Sequence, residues 1–79
     1  MIRYIVTINA NNNILEDYSG RLDETPMAPF QLDAQHYVGT VDELLDEAEN
    51  MIQFGGKPQS DIMVKRGEAI SKWLNGPAG

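Results

Sequence analysis

The chain has 79 residues, with twelve acidic side chains against six basic ones, a formal charge of −6 and no cysteine. That length suffices for one small domain and leaves little room for a deep substrate cavity. The charge sets the chain against nucleic acid and anionic membranes and towards basic surfaces, while the lack of cysteine excludes a disulfide framework and a thiolate metal site.

A hydrophobic content of 42% is enough to build a core. The apolar stretch at Met1–Asn9 is too short and too interrupted for a signal peptide or a membrane span. The expectation is a single domain over residues 1–76, a flexible tail over 77–79 and a cytoplasmic location.

Residues 2–9 alternate, with Ile2, Tyr4, Val6 and Ile8 on one face and Arg3, Thr7 and Asn9 on the other, Ile5 falling among the polar set. That is the period of a half-buried strand. Asn11-Asn12-Asn13 then reads as a hairpin turn, because asparagine tolerates left-handed backbone and bonds its own main chain. Ile14–Tyr18 returns as a second strand, Ser19-Gly20 marks a bulge or turn, and Arg21–Asp23 extends the strand. Two prolines make Glu24–Pro29 a loop. Phe30, Leu32 and Ala34 alternate with polar neighbours as a third strand. His36-Tyr37-Val38 continues it or forms a short fourth.

Thr40-Val41-Asp42-Glu43 has the spacing of a capping box. Val41, Leu44, Leu45, Ala48 and Ile52 follow at helical spacing. Gly55-Gly56 reads as the left-handed stop of this helix, and Lys57-Pro58-Gln59 as a connector. Ser60-Asp61 is expected to cap a second helix, with a carboxylate in its first turn, that runs to about Asn75. Its apolar stripe is Ile62, Met63, Ile70, Trp73 and Leu74. Gly67 in mid-helix costs about 1 kcal/mol relative to alanine, which close backbone packing would explain. The fold class is α+β: a small antiparallel sheet of three to four strands with two antiparallel helices packed on one face.

The first helix carries Asp42, Glu43, Asp46, Glu47 and Glu49, with no lysine or arginine between Thr40 and Phe54. Asp42/Asp46 and Glu43/Glu47 are like-charged pairs one turn apart, each destabilising by a few tenths of a kcal/mol. A plainly solvated helix would mix its signs. The face therefore reads either as a solvated acidic surface or as a footprint for an arginine- and lysine-rich groove. A second acidic group, Glu16, Asp17, Asp23 and Glu24, surrounds the first hairpin. Tyr18, beside Asp17, is an aromatic anchor candidate for the same partner.

No calcium-loop spacing is present, so neither metal nor cofactor is expected. No nucleophile has an identifiable base, and Gly55-Gly56-Lys57-Pro58 lacks the spacing of a phosphate-cradling loop. The lone His36 reads as a strand-end residue. The chain is not expected to be an enzyme.

Three resemblances follow from these residues. Acyl carrier proteins are similar in length and acidity, but their Asp-Ser-Leu site has only Ser60-Asp61-Ile62 as a counterpart, in the wrong order. HicB-type antitoxins resemble the junction Tyr37–Leu44, without the Asp-x-Pro-Gly-Cys segment that precedes it there. The chain also resembles, in size, acidity and architecture, the small phage anti-CRISPR proteins that bind type I surveillance complexes (Cascade). That last resemblance implies an inhibitor in the host cytoplasm, bound to a basic Cas subunit and blocking target DNA, without membrane or direct nucleic-acid contact, as a monomer or homodimer. The candidate contact residues are Asp42, Glu43, Asp46, Glu47, Glu49, Glu16, Asp17 and Tyr18. The alternative function is an antitoxin or immunity protein that neutralises a toxin nuclease.

Overall fold

In a computed structural model, the chain is described over residues 1–24 and 34–76. The expected Glu24–Pro29 loop beyond Glu24, the Phe30–Asp33 start of the third strand and the 77–79 tail lie outside these residues. Strand β1 (Tyr4–Asn9) is central in a three-stranded antiparallel sheet, between β2 (Gly20–Arg21) and β3 (Ala34–Gly39). Helix α1 (Val41–Ile52) follows, then a two-stranded hairpin of β4 (Gln53–Phe54) and β5 (Lys57–Pro58), then α2 (Asp61–Asn75). The class is α+β.

One core joins the sheet to the helices. Val6 and Ile8 of β1 meet Leu44, Ala48 and Met51 of α1 and Ile70 and Leu74 of α2. The even residues of β1 face this core, as their alternation predicts. Sequence reasoning placed Thr7 on a polar face, with Ile5 among the polar residues. Both are buried, so the centre of β1 is covered on both sides. A buried threonine needs its hydrogen bonds made. The Thr7 hydroxyl lies 2.7 Å from the Tyr18 carbonyl oxygen and 3.0 Å from His36 Nδ1. A carbonyl can only accept, so the hydroxyl gives its one proton to Tyr18. His36 Nδ1 is therefore the donor to Thr7. His36 thus stands mid-strand, paired across the ladder with Thr7, not at a strand end.

The asparagine turn forms as expected. The Asn9 side chain accepts from the Asn11 and Asn13 amides, and Asn12 takes a left-handed φ of 63°. The second strand expected at Ile14–Tyr18 does not form. Ile14 makes a single bridge to Ile8, and Glu16–Tyr18 coil into a turn of 3-10 helix. The reason is Ser19. Its hydroxyl accepts from the Thr7 amide at 2.9 Å and donates to the Leu15 carbonyl at 2.8 Å. A side chain thus fills a backbone position in the ladder, and the three residues between loop outward.

The helices fit as closely as Gly67 allows. A Cβ there would strike the Ala48 carbonyl and come within 2.8 Å of Ile52 Cγ1 and 3.0 Å of Met51 Cβ. The glycine lets α2 lie directly on α1. Ile62, expected in the apolar stripe, is 64% exposed. It stands roughly 110° around the helix from the arc of Met63, Gly67, Ile70 and Leu74 that meets the core.

A candidate acidic interaction surface

The local sequence fixes the start of α1 firmly. Thr40 holds extended backbone, and its hydroxyl accepts from the Glu43 amide at 3.2 Å. The Glu43 carboxylate accepts from the Thr40 amide at 3.0 Å. The bond from the Thr40 amide, then the Thr40 hydroxyl, hold the Glu43 carboxyl below its ordinary value, with Arg3 a lesser influence. Leu44, Ala48 and Met51 turn inward. Asp42, Glu43, Asp46, Glu47 and Glu49 are all exposed, on an arc of roughly 160° at 100° per residue.

These five carboxylates differ in what they already hold. Glu43 is engaged in the cap. Glu49 accepts from Gln53 Nε2 at 2.7 Å. Asp42, Asp46 and Glu47 make no hydrogen bond or ion pair with any described residue. The cations are elsewhere. Arg21 pairs with Asp23 at 3.0 Å and Glu24 at 3.7 Å, and the bond to Asp23 raises the Arg21 pKa. Arg66 of α2 reaches neutral acceptors: Asn12 Oδ1 at 3.0 Å, the Tyr37 hydroxyl at 3.3 Å and the Asn9 carbonyl at 3.5 Å. With Asn12 Nδ2 bonded to the Ile62 carbonyl, this arginine fastens the first turn to α2.

The second acidic group is split by these pairings. Asp23 and Glu24 share Arg21. Glu16 and Asp17 are exposed in the 3-10 turn. Glu16 faces α2, lining with Asn13, Lys72 and Trp73 a shallow groove of about 290 Å³. Tyr18 is half-buried, with its carbonyl bonded to Thr7. The fold therefore gathers Asp42, Asp46 and Glu47 on one helix and puts Glu16 and Asp17 on a separate turn.

Sequence reasoning passed over the hairpin after α1. Gly55 and Gly56 have φ of 62° and 80° and pair Phe54 with Lys57. Two glycines between short extended runs are a recognised two-residue hairpin signal, so it was open to discovery. The Gly-Gly step is not the stop of α1, as the sequence suggested: the helix ends at Ile52 on an extended Gln53, and the glycines turn the strand pair beyond it.

Among the described residues, no helix is long and apolar enough to cross a membrane. No three His, Asp or Glu side chains there form a group suited to a metal ion. No protein-family model, no curated protein and no solved structure matches the chain.

Proposed function

We propose that this chain is a protein inhibitor that offers the outer face of α1 to a basic, nucleic-acid-handling complex, with a type I CRISPR surveillance complex as the partner class. One observation carries the reading. Asp42, Asp46 and Glu47 project from a well-capped helix with no cation spent on them. Like charges one turn apart work against the helix; the helix dipole offsets this for Asp42 in the first turn but not for Asp46 and Glu47. A groove built of arginine and lysine to hold DNA would meet this face with opposite charge. Occupying it would exclude DNA by charge and bulk. No covalent chemistry is required.

The test is size-exclusion of the purified protein mixed with purified type I complexes, at low and at high salt. Co-elution at low salt that weakens as salt rises is the expected result, because screening shortens the reach of exposed charges. Absence of co-elution at low salt with every type I subtype tried overturns the assignment and leaves a basic toxin nuclease as the partner to examine.

A further inference from the structure

The hairpin between the helices does more than connect them. Its base is closed by the Gln59 amide bonded to the Ile52 carbonyl at 2.9 Å, and its rungs are Gln53 opposite Pro58 and Phe54 opposite Lys57. Gly55 and Gly56 both hold the left-handed backbone of a tight two-residue turn, which splays strands least. A Cβ on either would meet nothing within 4 Å. Glycine is needed there for its backbone angle alone, and the tip stands clear of the rest of the described structure. Every residue from Gln53 to Ile62 is exposed, and Phe54 is 66% exposed.

Single exposed apolar residues are ordinary on any protein surface. Phe54 differs in how it is held. A plain loop would join α1 to α2, yet here a defined turn projects an aromatic ring that the core does not use. Aromatic side chains on preset backbone are the usual anchors of protein interfaces. Charge says which partner suits it. Glu49 at the end of the acidic arc bonds Gln53 at the root of the hairpin, so the acidic arc is joined to the hairpin one residue before Phe54, whose rung partner is Lys57. With a net charge of −6, stacking on a nucleic-acid base is disfavoured, since that needs a basic groove.

We infer that the Gln53–Pro58 hairpin is an aromatic finger that seats Phe54 in an apolar socket on a basic protein surface, beside the arginines and lysines that receive α1. This rests on the inhibitor reading above and adds a second, uncharged contact to it. The partner is thus a protein with a pocket within a helix length of its basic patch.

The experiment measures affinity for a purified type I surveillance complex over a salt series, with wild type, Phe54→Ala and Phe54→Leu. Thermal melts confirm that the variants fold as wild type does, as an exposed position predicts. Phe54→Ala weakens binding by about tenfold or more and leaves the salt dependence unchanged, because it removes no charge. Phe54→Leu keeps most of the affinity. Wild-type affinity in Phe54→Ala overturns the finger and leaves the electrostatic reading standing. No binding by wild type at low salt overturns both.

Discussion

The two helices share one core and treat their charge in opposite ways. Helix α2 mixes signs, with Lys65, Arg66, Glu68 and Lys72 around its length, and its special residues are turned inward. Gly67 closes on α1 and Arg66 ties the asparagine turn. Helix α1 is the reverse. Its inner side is ordinary packing, its start is fixed by a reciprocal cap, and its outer side carries one sign only. Ser60 at the start of α2 makes no capping bond with its side chain. The fold thus depends on α2 for architecture and holds α1 rigid while leaving its outer surface uncommitted. Architecture explains the residues of α2 and, in α1, Glu43 in the cap and Glu49 on Gln53, whereas Asp46 and Glu47 need a reason outside the fold.

This contrast can be broken at either helix. The largest effect belongs to α2. Gly67→Ala would gain about 1 kcal/mol of helix propensity. The added methyl would overlap a backbone carbonyl of α1, and overpacking of this kind costs about 1–3 kcal/mol, occasionally more. We expect a net loss of stability in urea titration. A variant more stable than wild type would show that the helices slide freely and that the close approach is incidental.

A smaller loss comes from the cap of α1. Thr40→Ala removes the acceptor for the Glu43 amide and costs about 1 kcal/mol. The same cap gives α1 an acid-sensitive end. The Glu43 carboxyl in the folded chain sits below its ordinary 4.5, so the charged form is favoured by folding. Its contribution is fully present above that ordinary value and is lost as pH falls through the lowered one. Amide protection in the first turn of α1, measured relative to the intrinsic exchange rate at each pH, should therefore fall as the solution is acidified below the ordinary carboxyl value. Glu43→Gln should flatten that dependence. Equal acid response in the two proteins would mean that the carboxylate bond contributes nothing to the helix start.

Much of this arrangement was legible before any coordinates. The capping box, the inward residues Leu44 and Ala48, the asparagine turn and the close packing at Gly67 all follow from local chemistry that acts within one turn or one helix face. What could not be read was decided by partners distant in sequence. Ile14–Tyr18 alternates well enough for a strand, but the Ser19 hydroxyl takes the place of a strand carbonyl as acceptor for the Thr7 amide, and only the fold brings it to Thr7. Thr7 looked solvent-facing because its burial depends on Tyr18 and His36, eleven and twenty-nine positions away. The hairpin at Gly55-Gly56 had a sequence signal, masked by a second meaning of glycine after a helix. For the acidic surface, composition gave the residues. Geometry added which are engaged: Glu43 in the cap, Glu49 with Gln53, and Asp42, Asp46 and Glu47 left over.

The smallest effect on stability carries the most weight. Asp46→Lys with Glu47→Lys turns two like-charged pairs into Asp42–Lys and Glu43–Lys pairs one turn apart, with the acid on the N-terminal side. Each such pair is worth a few tenths of a kcal/mol. The double variant should therefore be more stable than wild type by about 0.5 kcal/mol, and it should no longer co-elute with a type I surveillance complex at low salt. Stability up and binding lost, in one protein, is what a surface kept for a partner predicts. If the double variant co-elutes as wild type does, the outer face of α1 is a solvated surface and not the site of action.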